Sequence, residues 1–144
     1  MTGTCNLCRE TGGDVLWSDD LCRVVLVDDA HYPGYCRVIH QAHVPEMTDL
    51  APEQRRRLMD VTFGVETAIR STVRPDKVNL ASLGNMTPHL HWHVIPRWRD
   101  DPHFPQAIWA APERAGSPLR PFDKAALKAE IWKLLTGLEG QSGA

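Results

Sequence analysis

Residues Asn85–Arg97 read NMTPHLHWHVIPR. His89, His91 and His93 alternate with Leu90 and Trp92, and Val94 and Ile95 follow. Side chains of a β-strand alternate between its faces. The three histidines would therefore share one face, and Leu90, Trp92 and Val94 the other. On a helix each two-residue step turns the side chain by about 200°, which scatters the imidazoles. The spacing predicts a strand with one apolar, core-facing side and one row of imidazoles. Pro88 and Pro96 bracket it.

Such a row has two chemical uses beyond an exposed edge without a role. Neutral histidine is a common zinc ligand, and three of them can leave a coordination position open. Alternatively, one imidazole is a nucleophile whose neighbours hold it and the substrate. A neutral imidazole nitrogen attacks phosphorus readily, and the resulting phosphoramidate is labile enough to hydrolyse.

His89–Ile95, HLHWHVI, resembles the pattern His-φ-His-φ-His-φ-φ (φ apolar) of the histidine-triad (HIT) family of nucleotide hydrolases and transferases. The resemblance covers roughly residues 5–98. It implies a five-stranded antiparallel sheet with a long helix, and homodimers in which two sheets join. It implies that His91 attacks the α-phosphorus of a nucleotide ester, anhydride or phosphoramidate, and that water then hydrolyses the nucleotidyl-histidine. His93 would bind phosphate oxygens and His89 would support the nucleophile. A superfamily branch of sugar-phosphate nucleotidyl transferases carries Gln at the third position, so His93 favours hydrolysis. The ending HVIPR is closer to the dinucleoside-polyphosphate branch than to the phosphoramidase branch. By the same resemblance Asp28 would bind ribose hydroxyls and Asn85 the phosphates. A purine is expected, because Asp28 ends an apolar strand whose side chains can flank a base. Tyr35 departs from the family, in which many members carry His after the Pro-Gly turn. The competing classes are a zinc-dependent hydrolase with the row as ligands, and a nucleotide-binding module without turnover.

At 144 residues the chain suits one domain, 1–144, able to bury a core without staples. Its formal net charge is −2 and its isoelectric point about 6.4. That balance argues against a nucleic-acid groove or an anionic membrane surface. No apolar run approaches the roughly 18 residues of a membrane span, and the start is polar rather than signal-like. The expectation is a cytoplasmic protein.

Two of the four cysteines, Cys22 and Cys36, lie in apolar stretches and read as small buried side chains. Cys5 and Cys8 form a C-x-x-C, the spacing of half a zinc site. Two further ligands would close a tetrahedron. His43, just past the third strand, and His89, at the start of the fifth, can supply them if those strands are close. Some HIT-superfamily members with an N-terminal C-x-x-C hold zinc in this way. The alternative is a reduced thiol pair in a mobile N-terminus.

The rest of the chain predicts an α+β domain. Strands are expected at 14–17, 21–28, 35–40 and 77–83, the last pairing antiparallel with the triad strand. His40 reads as an exposed strand-end residue. Asn79 reads as backbone-satisfied or a further polar contact. A long helix is expected over 52–72, where apolar residues recur at spacings of three and four and Pro52 suits the first turn. The Arg55–Arg57 run reads as its solvated face, and Gly64 as a point of close packing on the sheet. Residues 99–109 read as an ordered loop over the sheet or a partner subunit. The C-terminal segment 99–139 then contains a helix over 123–138, capped by Asp123, with a stripe of Leu127, Ile131, Leu134 and Leu138.

Overall fold

The computed structural model describes residues 4–116 and 119–141, and side chains to 138. Its elements are α1 (Asn6–Arg9), β1 (Asp14–Ser18), β2 (Cys22–Leu26), β3 (Cys36–His40), α2 (Pro52–Thr72), β4 (Lys77–Ala81), β5 (His91–Arg97) and α3 (Lys124–Gln141). A 3₁₀ turn spans Met47–Asp49. The strands form one antiparallel sheet in the order β1-β2-β3-β5-β4. The triad strand is therefore interior, flanked by β3 and β4.

Alternation sorts the sheet into two faces. Val24, Cys36, Val38 and Val94 lie on the helix side, in a core with Leu58, Val61, Val65, Ala68 and Ile69 of α2. Cys22 and Cys36 are fully buried free thiols, and burial pushes both up to about 12. The opposite face carries Arg23, Val25, Arg37, Ile39, His91 and His93. Register fixes this, since Val25 pairs with Arg37, Arg37 with His93 and Ile39 with His91.

Helix α2 starts with Pro52, and Gln54 Oε1 accepts from the Ala51 N–H at 2.9 Å. Helix α3 begins beside Asp123, whose Oδ1 accepts the Ala126 N–H at 3.0 Å. Gly64 packs on α3 rather than on the sheet: a Cβ there would lie 2.8 Å from Leu135 Cδ2. Correspondingly Leu127, Ile131 and Leu135 are the fully buried residues of α3, while Leu134 and Leu138 are only partly covered. The arginine run is not a purely solvated face. Arg57 reaches back 3.2 Å to Asp19 in the β1–β2 turn and lies over Trp17. Among the described residues no helix is long and apolar enough to cross a membrane.

Candidate active site

Strand β5 begins at His91, so His89 and Leu90 lie just ahead of it. The alternation nevertheless holds through them, because the backbone stays pinned. The Leu90 N–H donates to Val44 O at 2.8 Å and the His40 N–H to Leu90 O at 3.0 Å. Leu90 and Val94 enter the helix-side core, and half-buried Trp92 donates its indole N–H to Met47 Sδ at 3.4 Å. All three triad histidines are buried on the other face.

Their hydrogen bonds distinguish their nitrogens. A carbonyl oxygen only accepts, so a ring nitrogen bonded to it must carry the proton. His91 donates Nδ1–H to the His89 carbonyl at 2.6 Å, which leaves Nε2 with a free lone pair. His89 does the reverse, donating Nε2–H to the His40 carbonyl at 2.6 Å and leaving Nδ1 free. His93 Nδ1 meets the Tyr35 hydroxyl at 2.6 Å. Tyr35 thus sits in the triad, bonded to its third member. Burial lowers all three imidazoles from their ordinary value, His93 to about 3, and the Arg37 charge also lowers His91 and His93. At neutral pH the row is uncharged.

A cavity of about 560 Å³ opens in front of His91. Its walls come from the N-terminal segment, including Asn6, Glu10 and Gly12, together with Arg37 and Thr87. The segment is held down by Arg23, which donates to Thr11 O at 2.8 Å, Leu7 O at 2.7 Å, Glu10 O at 3.1 Å and Gln41 Oε1 at 2.7 Å. Cys5 and Leu7 pack on Val25 and Ile39 beneath it. Gly12, at φ +85°, is in the left-handed region, and a Cβ there would meet Ile39 Cδ1 at 2.7 Å.

Free Nδ1 of His89 points into a cluster with Cys5, Cys8 and His43, whose ligand atoms all lie within 4.8 Å of one another. His89 Nδ1 is 3.5 Å from Cys5 Sγ, 3.4 Å from Cys8 Sγ and 3.3 Å from His43 Nδ1; Cys8 Sγ is 3.3 Å from His43 Nδ1. Tetrahedral zinc, with Zn–S about 2.3 Å and Zn–N about 2.0–2.1 Å, sets S···N pairs about 3.6 Å and N···N pairs about 3.3 Å apart. The donor set and spacing fit that ion. The His40 carbonyl supplies the outer hydrogen bond that orients a ligating histidine. The cluster takes in His89 and neither His91 nor His93, so the geometry does not gather the row around one metal.

Other expected site residues lie apart. Asp28 is exposed in a separate cleft of about 590 Å³ with Asp14, Phe122 and Lys124, and the two cavities share Gly13. Lys124 pairs with Asp14 there. Asn85 is exposed in the bend between β4 and β5. His40 is buried, not exposed: it shares the parity of Cys36 and Val38 and faces the helices, its Nδ1 2.9 Å from Ala42 O. Asn79 accepts from Arg97 at 2.7 Å.

The segment after β5 is ordered and lies over the triad face. Buried Arg97 and Asp101 form an ion pair at 2.8 Å, which holds the Asp101 carboxyl down at about 2. Asp101 also receives the N–H groups of Trp98, His103 and Phe104 and, at 3.2 Å, the Tyr32 hydroxyl. Arg97 further donates to Gln106 O and Arg114 to the carbonyls of Asp101 and Phe104. This brace sets Trp109 edge-on to His93, ring centroids 4.9 Å apart.

A model of the HIT domain matches residues 9–100, nearly two thirds of the chain. The chain belongs to the HIT domain family. Among solved structures, a histidine triad protein from Marinobacter aquaeolei is 30% identical with a TM-score of 0.68, covering 89% of this chain and 92% of that one. Among curated relatives, an AP-4-A phosphorylase of Mycobacterium tuberculosis is 32% identical over 50% of this chain and 40% of its own length. A bis(5'-nucleosyl)-tetraphosphatase [asymmetrical] of Schizosaccharomyces pombe is 31% identical over 48% of this chain and 41% of its own length. The chain spans about two fifths of the length of these two curated relatives. Within the HIT family match lie the triad, Tyr35, Arg23 and Arg37.

Proposed function

We propose that this HIT domain is a nucleotide hydrolase acting at an α-phosphorus through a nucleotidyl-histidine on His91. The observation that carries the reading is the 2.6 Å bond from His91 Nδ1–H to the His89 carbonyl, which leaves Nε2 as a neutral nucleophile at the cavity wall. In the first displacement Nε2 bonds to phosphorus and the bond to the leaving group breaks: a P–O bond leaves its electron pair on a phosphate oxygen, and a P–N bond leaves it on a nitrogen that takes up a proton from solvent to depart as the amine. The His91 ring then carries a positive charge. Its hydrogen bond to the carbonyl becomes charge-assisted and stronger, which favours the intermediate over the ground state. In the second displacement a water oxygen bonds to phosphorus and releases a proton to solvent, and His91 leaves as neutral imidazole. Phosphoryl chemistry depends mostly on such positioning and charge placement.

His93 holds the phosphate oxygens. With the Tyr35 hydroxyl donating to Nδ1, its Nε2–H is the donor offered to them. Asp28 is proposed for the ribose hydroxyls of a purine nucleotide, and Asn85 for the phosphates. Asp28→Ala should then weaken AMP more than deoxy-AMP, and equal losses would remove that role. The relatives named for tetraphosphate chemistry support a dinucleoside polyphosphate as one substrate class, with an amine leaving group as the other.

Zinc is proposed at Cys5, Cys8, His43 and His89, on the fit of the donor set. Bound there, it would tie the N-terminal segment to the start of β5 and play a structural part. A homodimer joined through sheet edges and a cytoplasmic location complete the reading. The test is turnover by His91→Ala. The variant should hydrolyse neither substrate class while binding AMP within about tenfold of the parent, because most ground-state contacts remain. Parent-like turnover would remove the nucleophile and the mechanism with it.

A further inference from the structure

We infer that Arg37 is an anion-binding residue of the triad cavity that takes the phosphate chain beyond the attacked phosphorus, so that the site prefers a polyphosphate leaving group over an amine. This rests on the nucleotidyl-histidine reading and adds to it a residue that selects among leaving groups.

Arg37 stands opposite His93 in the β3–β5 register and lines the same cavity as His91. It is the one guanidinium among the lining residues, which also include Glu10. Its own partners are sparse. Nη1 donates to Gly12 O at a long 3.3 Å, and the group lies 5.8 Å from the centre of the Tyr35 ring, toward whose hydroxyl it also donates. Its Nε is buried with no hydrogen-bond partner. No carboxylate of the described residues forms an ion pair with it.

The other two arginines of this face are satisfied. Arg23 makes four hydrogen bonds to the N-terminal segment and Gln41. Arg97 has Asp101, Asn79 and the Gln106 carbonyl. A buried, incompletely paired polar group calls for a reason, and an anion-binding role for the rest of the guanidinium supplies one. The chemistry supplies the need. An imidazole must be neutral to attack phosphorus, so it cannot neutralise the anion it attacks. A guanidinium is always charged and presents a fork of donors matched to phosphate oxygens. The cavity, about 560 Å³, has room for more than one phosphate. A polyphosphate leaving group brings negative charge to Arg37 and gathers more as its bond to phosphorus breaks. An amine leaving group brings none. The preference should therefore appear in the chemical step and not only in binding.

The test uses the full chain with Arg37→Met, which keeps length and loses charge, and Arg37→Lys, which keeps charge and loses the fork. Turnover is measured on diadenosine tetraphosphate and on adenosine 5′-phosphoramidate, which share a nucleotidyl half. Binding of inorganic tripolyphosphate is measured by calorimetry, and folding by thermal unfolding. Arg37→Met should lose about 30-fold in kcat/KM on the tetraphosphate, the order expected for a charged hydrogen bond. That loss should exceed the loss on the phosphoramidate by about tenfold, and tripolyphosphate should bind about tenfold more weakly. Arg37→Lys should recover part of each. Equal losses on both substrates, or unchanged tripolyphosphate binding, would overturn the role. Should the parent turn over neither substrate, the nucleotidyl-histidine reading fails, and the tripolyphosphate comparison decides Arg37 alone. Should Arg37→Met not fold, Arg37→Lys decides: parent-like discrimination between the substrates contradicts the fork, and reduced discrimination supports it.

Discussion

His89 and His91 are two residues apart on one face, both buried, both bonded to a backbone carbonyl at 2.6 Å, and they present opposite nitrogens. His89 gives up Nε2–H and turns Nδ1 to two thiols and a third imidazole. His91 gives up Nδ1–H and keeps Nε2 free on a ring that lines the cavity. The residue type is the same; the carbonyl each ring reaches decides which nitrogen is left free for the ligand or nucleophile role proposed for it. The carbonyl that orients His91 belongs to His89, so fixing the first ring in a cluster steadies the backbone that aims the second. The proposed division is structure at His89 and chemistry at His91.

The hardest blow to this division is His91→Ala. We expect turnover to fall by at least about a thousandfold, as when a nucleophile is removed, with zinc content and melting temperature close to the parent's. A loss of zinc in this variant would mean that the two ends are not separate.

The converse blow is Cys5→Ser, or chelation of the parent. Zinc assayed on protein purified without chelator should approach one per chain and drop in the variant. An ion present at about a thousand times its Kd stabilises the fold by about 4 kcal/mol, so its removal should lower the melting temperature by several degrees. A nucleotidyl adduct should still form on His91 in the surviving folded protein. Metal-free parent protein that melts as Cys5→Ser does would defeat the zinc site and leave the nucleophile standing.

Much of this was legible in the sequence because it follows from local period. Alternation of His with Leu90 and Trp92 gave the strand and its two faces, and the Leu58–Ile69 stripe gave α2. The C-x-x-C spacing with His43 and His89 marked the four side chains that the fold brings together, since cysteine and histidine announce their chemistry wherever they fall. What escaped was long-range or hidden by residue type. A charged residue in a strand, such as Arg23 or Arg37, reads as an outward position, and the N-terminal segment folding over the sheet buries Arg23 and partly covers Arg37. The polarity of His40 suggests exposure, but its parity places it with Val38 on the buried side. Asp28 lies exposed just past β2, in a cleft that meets the triad cavity at Gly13. Trp109 meets His93 only because a buried Arg97–Asp101 pair folds the intervening loop, and nothing periodic encodes that pair.

Acid should separate His93 from the metal end more gently. Its folded value of about 3 lies below the ordinary 6.5. Between those pH values the unfolded chain takes up a proton that the folded chain does not. Stability from this group is therefore full above about pH 6.5 and declines by about 1.4 kcal/mol per pH unit toward pH 3. Asp101, held at about 2, keeps its contribution until below its ordinary 3.8. Thermal melts from pH 7 to 4.5 should show a shallower decline for His93→Gln than for the parent, and identical slopes would contradict the burial of a neutral ring.

Tyr35→Phe should have the smallest effect. Removing one hydroxyl from the 2.6 Å bond to His93 should lower kcat/KM about fivefold, in keeping with roughly 1 kcal/mol for a neutral hydrogen bond. Zinc content should not change. A parent-like rate would show that His93 needs no help from Tyr35.

The central claim is covalent chemistry at one nitrogen of His91. Protein mixed with diadenosine tetraphosphate, quenched within a turnover at alkaline pH and digested, should show by mass spectrometry one nucleotidyl group on the peptide carrying His91. Fragmentation should place it on that residue, and His91→Ala should carry none. Turnover with no adduct, or an adduct on another residue that persists in His91→Ala, would contradict the account.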